Sequence, residues 1–265
     1  MPQRPSAQQV SAKIPRVGFL TIGDNERTRI LDAFRGGLRD LGYVEGRSII
    51  LEFRFAHGDL SRGPQLAAEL VTLPTDVIVT EGFPPDVVDP SGHVPIVVPA
   101  LMDPVQRGFA FSIARPGRNI TGFTLMQPSS TGNAWSCCVR RLPILPLSQP
   151  DKPCSPVLEI GFRGNRSYNY RRDVVALINA ARLPAIYPER DYADDGGLMA
   201  YGANVADNFR RAAGYVDRIL KVAKPGDLPI QELVRFDFVI NLKTAGELGL
   251  TIPPSILAQA TEVIE

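Results

Sequence analysis

Residues 16–46, RVGFLTIGDNERTRILDAFRGGLRDLGYVEG, constrain the fold more than any other stretch of the chain. They read as an apolar strand, a short polar loop, an amphipathic helix and a glycine stop, in that order. Val17, Gly18, Phe19 and Leu20 form a run too short for a core helix and without polar alternation, which predicts a strand buried on both faces. Ile30, Leu31, Phe34, Leu38 and Leu41 recur at helical spacing among charged residues, and Gly42 stands where a left-handed cap ends the helix. This is the opening βα unit of an open α/β lobe, and such sheets bind small ligands at the carboxyl ends of their strands.

The unit recurs along the chain. Ser48–Phe55 predicts a second strand, a helix runs from near Ser61 to before Pro74, and Val77–Val79 predicts a third strand. Prolines at 84, 85, 90 and 95 leave the next helix one or two turns at most, before a fourth strand at Ile96–Val98. Alternating βα units predict a parallel sheet of at least four strands within residues 16–126, with right-handed crossovers. From 129 to 170 neither period persists. Five prolines, all three cysteines (Cys137, Cys138, Cys154) and Trp135 fall there, and the segment is expected to be irregular. Periodicity then returns, with a helix at about 206–221, strands at Ala185–Tyr187 and Leu198–Tyr201, and LVRFDFVINLKTAGELGL as strand, Asn-led helix start and glycine stop. The expected organisation is a tail (1–15), lobe one (16–128), an irregular segment (129–170) and an incomplete lobe two with C-terminal helices (171–265).

Charge and composition exclude several classes. A net charge of +1 with 22% charged residues provides no field suited to nucleic acid, and no run of 18 apolar residues spans a bilayer. His57 and His93 lack cysteine or acidic partners at ligand spacing, so neither a metal nor a cofactor is expected. No nucleophile elbow, catalytic carboxylate pair or phosphate loop supports an enzyme.

The candidate binding residues sit at predicted strand ends. Thr21, Asp24 and Asn25 follow the first strand and offer hydroxyl, carboxylate and backbone donors; the competing account is that Asp24 or Asn25 caps the helix. Thr80, Gly82 and Phe83 follow the third, where a glycine permits close backbone approach, although Glu81 would repel an anion and turn formation explains the glycine equally. Asp103 could hold a ligand ammonium or serve as a turn residue before Pro104. Tyr187, Tyr201 and Gly202 end short strands of the second lobe, with ordinary core packing as the alternative for the tyrosines.

With these residues in hand, the chain resembles the substrate-binding proteins of ABC importers, in the group of tryptophan and tyrosine binders. The resemblance rests on RVGFL, AFRGGLRDLGYVEGRSIILEFRFAHG, LAAELVTLPTDVIVTEG, IARPGRNITGFTLM, the stretch LPAIYPERDYADDGGLMAYGANVADNFRRAAGYVDRILKVAKPGDLP and FDFVINLKTAGELGLTIPPSILAQATEVIE. It implies a two-lobed, type I periplasmic-binding fold that closes on a small polar ligand such as an amino acid, without catalysis. It further implies a monomer outside the cytoplasm that delivers its ligand to a membrane permease. Two departures stand out. The polar start MPQRPSAQQVSAK has no export signal, which as written implies the cytoplasm, and residues 129–170 are too few for the βα units the family places there. The expectation is therefore impaired binding, with a cytosolic sensor lobe or the silent product of a decayed gene as alternatives.

Overall fold

The computed structural model describes residues 13–23, 28–125, 157–160, 170–232 and 235–265. Its first sheet has six strands, all parallel: β1 (Arg16–Thr21), β2 (Ile50–Phe55), β3 (Val77–Glu81), β4 (Ile96–Leu101), β5 (Ile120–Thr124) and β9 (Gln231–Glu232). They lie in the order β2-β1-β3-β4-β5-β9, so the parallel sheet predicted within residues 16–126 is present with one strand more than the minimum, and β9 joins it from outside that span. Val17 and Phe19 point to one face with Val77 and Val79, whereas Leu20 and Ile78 point to the other. Both faces are covered, as an unbroken apolar strand requires.

Helices α1 (Arg29–Asp40) and α6 (Val205–Leu220) cover the first face; α2 (Gly63–Thr72) and α3 (Pro85–Val88) pack on the other side. The proline-confined α3 is a single turn. One expectation about α1 fails: its N-cap is Thr28, whose Oγ1 accepts from the Leu31 N–H at 3.4 Å, and neither Asp24 nor Asn25 caps it. A cap must lie within the first turn of the helix, and the helix starts later than the polar loop suggests. Asp24 and Asn25 themselves lie outside the described residues. Gly42 ends the helix as predicted, at φ +86°, with its N–H bonded to the Arg39 carbonyl at 2.9 Å.

The second sheet runs β11-β10-β8-β7-β6, from β6 (Leu158–Glu159), β7 (Ala185–Tyr187), β8 (Met199–Ala203), β10 (Phe236–Asn241) and β11 (Glu262–Ile264). Its pairs are parallel except β8 with β10. Helices α4 (Arg171–Ala180), α5 (Arg190–Asp194), α7 (Leu242–Glu247) and α8 (Pro254–Leu257) complete it. Asn241 caps α7 through Oδ1, which accepts from the Thr244 N–H at 3.1 Å. Strand β6 arises inside the span 129–170 that carries no sequence period. The remainder of that span, including its cysteines and tryptophan, lies outside the described residues except for 157, 160 and 170.

The order of elements hides one exchange. Residues 205–232 fall within the second-lobe span of the sequence, yet α6 packs on α1 and β4, and β9 extends the first sheet beside β5. Phe209, Ala212, Ala213 and Val216 are fully buried there. The α1 surface that receives them is Gly36 and Gly37 rather than the outermost predicted apolar position, Leu41, which is 44% exposed. A Cβ at Gly37 would overlap the Arg210 carbonyl oxygen, so the two helix backbones approach as closely as glycine allows. Tyr43 donates to Asp217 at 2.9 Å and Arg210 pairs with Asp40 on either side of this contact.

Gly37→Val should therefore destabilise the chain by about 1–3 kcal/mol through overpacking. Gly214→Ala, on the open side of α6 where an added Cβ meets nothing within 4 Å, should stabilise it by about 0.5–1 kcal/mol. Urea unfolding of the two variants beside the unmodified chain reads both; equal destabilisation by the two would contradict the close-approach account.

Candidate functional site at the facing strand ends

The carboxyl ends of the two sheets are brought together by the chain crossings. At one crossing Asn204 bonds to three places: its N–H donates to the Arg235 carbonyl at 3.0 Å, its Nδ2 to Asp237 at 2.9 Å, and its Oδ1 accepts from the Asp207 N–H at 2.8 Å. The side chain thus caps α6 and ties it to β10. Arg29, first residue of α1, reaches Asp237 on the second sheet at 3.5 Å.

Nearer the centre, Thr21 and Glu81 are register partners at the ends of β1 and β3, and the Thr21 hydroxyl donates to the Glu81 carboxylate. The same hydroxyl oxygen accepts from the Gly23 N–H at 2.9 Å. From the second sheet comes Glu189, two residues beyond β7. Its loop is fixed by Gly202 on β8, where a Cβ would overlap the Pro188 carbonyl oxygen. Burial pushes the Glu189 carboxyl up to about 7, reinforced by the charges of Asp191 and of Glu81 from the first sheet and opposed by Arg171. Burial raises Glu81 as well, against the stabilising bonds from Thr21 and the Ile22 backbone. Arg171 is held at 2.7 Å from Asp195, which also pairs with Arg172 at 3.0 Å. Two half-buried carboxylates from opposite sheets thus act on one another.

The structure distributes the sequence candidates unevenly. Thr21 is 2% exposed and belongs to this arrangement, with Gly82 (φ +83°) next to Glu81 and Gly202 beneath the Glu189 loop. Thr80 is fully buried with its hydroxyl 3.5 Å from the Phe83 carbonyl. The Phe83 side chain lies in the core under α2, against Gly63. Asp103, at φ +48°, closes a turn by accepting the Arg107 N–H at 3.1 Å. Tyr201 is stacked on Phe236 at 6.0 Å. Tyr187 is wholly buried and stacked on Tyr192 at 5.2 Å, and its hydroxyl has no hydrogen-bond partner among the described residues. Desolvation alone pushes that phenol up to about 12.

Sequence reasoning passed over Glu81 and Glu189 as binding residues. A signal was present, because VIVTE and AIYPE each place a glutamate within two residues of an apolar strand's end. A separate concavity of about 740 Å³ lies along the outer side of α6 and contains none of the candidates. Its guanidinium groups are engaged: Arg210 with Asp40, Arg211 with Gln231 and the Phe123 ring, Arg218 with the Gly214 carbonyl and the Tyr215 ring. Among the described residues no helix is long and apolar enough to cross a membrane.

Comparison with known proteins fixes the family. The model of the family described as ABC transporter substrate binding protein matches residues 20–130 and 166–264. This chain belongs to that family. Its members bind substrates for transport rather than catalyse reactions, and the internal stretch left unmatched between 130 and 166 falls within the segment that lacks sequence periodicity. A tyrosine-binding protein of Clostridioides difficile (strain R20291) is 30% identical over 91 residues, which are 34% of this chain and 26% of that relative. The match therefore spans about a quarter of the relative's length. A conserved domain protein of Vibrio cholerae O1 biovar El Tor superposes with a TM-score of 0.78 at 24% identity, over 95% of this chain and 100% of the other. The ABC domain from Streptococcus pneumoniae solved with L-Trp gives 0.70 at 21% identity, over 94% and 99%. Both establish the periplasmic-binding fold of this substrate-binding chain.

The buried, unpartnered Tyr187 hydroxyl makes Tyr187→Phe an informative change. Removing an unsatisfied polar atom should leave stability unchanged or raise it by up to about 1 kcal/mol. Thermal or urea melting decides; a loss of several kcal/mol would show that the hydroxyl is satisfied.

Proposed function

We propose that this chain is the solute-binding component of an ABC importer, working as a monomer outside the cytoplasm and passing a small amine-bearing ligand, such as an amino acid, to a membrane permease. One observation carries the choice of ligand: Glu81, which ends β3, and Glu189, two residues beyond β7, are partly buried carboxylates of opposite sheets that act on one another electrostatically. A carboxylate pair there is unfavourable by itself and becomes favourable around an ammonium, which donates charge-assisted hydrogen bonds to both carboxylates. Family membership and the names of the tyrosine-binding and L-Trp-bound relatives support the same class. Thr21 and the backbone at Gly23 and Gly82 would orient the remaining polar groups of the ligand.

Among the described residues the second lobe contributes the strand-end loops after β7 and β8, and binding weaker than in a cleft with a full set of loops is expected. Two or three polar contacts fewer, at about 1 to 1.5 kcal/mol each, lower affinity by one to three orders of magnitude.

Calorimetric titration with a panel of amino acids and their deaminated analogues tests this reading. The ammonium needs ionised carboxylates, so affinity should rise as pH increases through about 7, where Glu189 loses its proton. Glu189→Gln should weaken binding about tenfold or more and flatten that pH dependence. Equal affinity for the deaminated analogues would overturn the ammonium assignment.

A further inference from the structure

The concavity on the outer side of α6 holds more positive charge than its own acids neutralise. Arg210, Arg211, Arg218 and Arg235 line it against two carboxylates, Asp40 and Asp207. Asp40 is taken by Arg210, and Asp207 is shared between Arg235 at 3.5 Å and Arg211 at 3.9 Å. Arg218 meets no carboxylate among the described residues: its Nε donates to the Gly214 carbonyl at 3.3 Å, and its guanidinium lies 4.8 Å from the Tyr215 ring centre. Arg211 is held in a similar way, 4.6 Å over Phe123 with Nη2 donating to Gln231 at 2.5 Å. The two rings beneath them meet edge to face at 5.3 Å. Stacking and neutral acceptors fix both guanidinium groups without cancelling their charge, and a planar guanidinium so fixed matches the oxygens of an oxyanion.

Gly214 lies at the centre of this charge. Arg210 and Arg211 precede it by four and three residues and Arg218 follows it by four, so on a helix all three stand beside it. A Cβ at Gly214 would meet nothing within 4 Å, whereas at Gly37 the neighbouring helix backbone requires a glycine. Packing therefore gives no reason for a glycine inside α6, where alanine is the better helix former; open floor between arginines does. The space of about 740 Å³ is within the range of small-molecule sites and is bounded by α1, α6 and residues of β5 and the edge strand β9. We propose that this concavity binds a small phosphate monoester, its phosphate over Gly214 between Arg211 and Arg218, with the half-exposed Arg210 and the exposed Arg235 at the rim. Positive groups on several sides of one point suit a tetrahedral dianion better than a planar carboxylate. None of the strand-end candidates lines the concavity, so the inference is independent of the amine reading above.

Calorimetric titration of the full chain with glucose 6-phosphate and with inorganic phosphate, at fixed ionic strength, tests this, with glucose and succinate as the uncharged and the planar comparisons. Both phosphates should bind and glucose should not. Affinity should rise from about pH 5 to about pH 7.5, as the phosphate passes its second pKa near 6 and gains a charge while the arginines stay ionised. Arg218→Gln, an exposed change that should leave melting unaltered, should lower affinity about ten- to hundredfold. Gly214→Leu keeps a strong helix former at that position and fills the floor, so it should weaken binding at least as much. Lys243→Gln removes one positive charge from the exposed surface of α7, outside the concavity, and should change affinity by less than about twofold because salt screens it. Absence of binding by either phosphate at about 1 mM, succinate bound as tightly, an equal loss from Lys243→Gln, or unchanged affinity in Arg218→Gln would each overturn the proposal. Retention on phosphatidylglycerol vesicles, whose phosphodiester carries a single charge, without binding of the free phosphates would overturn it as well.

Discussion

The close packing of α6 on α1 is the contact on which the rest of the structure depends. It brings together residues 29–40 and 205–220, far apart in the chain, through a glycine surface that lets one backbone lie almost on the other. Phe209, Ala212, Ala213 and Val216 complete the core that Val17, Phe19 and Phe34 begin. Each large side chain buried there contributes about 1.5–3 kcal/mol, so the first sheet without α6 would lose a substantial share of its stability. The flanking Tyr43–Asp217 bond sets the register of the two helices, and desolvation together with Asp217 pushes that phenol up to about 12.

Because α6 belongs to the first sheet, the chain must leave the second sheet after β8 and return to it at β10. That detour creates the junction at Asn204, where one carboxamide caps α6 and ties it to β10. It also turns the carboxyl ends of β1 and β3 towards those of β7 and β8. The facing glutamates are therefore a product of topology. Neither lies near the other in sequence, and an overall charge of +1 says nothing about a local pair of like charges. The detour of α6 and β9 ties the first sheet to the second at Asn204.

Much of this was legible beforehand. The buried strand β1, the glycine that ends α1, the single-turn α3 confined by prolines and the Asn241 cap of α7 all follow from local chemistry, and all are present. The family was legible too, since long stretches on both sides of the irregular segment carry it. The N-cap of α1 was misplaced because Thr28, Asp24 and Asn25 share cap chemistry and only the helix start distinguishes them. Strands β5, β9 and β11 were passed over. Their few residues carry too little pattern, and they are strands because a neighbour offers its free edge.

The sequence by itself determined the α/β class, the alternation of the first lobe and the family, because these depend on hydrophobic period, turn residues and caps, all of which act within a few residues. Only the tertiary structure decided which sheet α6 covers and which strand-end side chains meet. An amphipathic helix specifies that it must bury a face but not against what, and the partner is chosen by complementarity with Gly36 and Gly37 more than 160 residues away. The same holds for Glu81 and Glu189. Each is an ordinary glutamate after a strand, and their shared electrostatics exists only once the two sheets face one another.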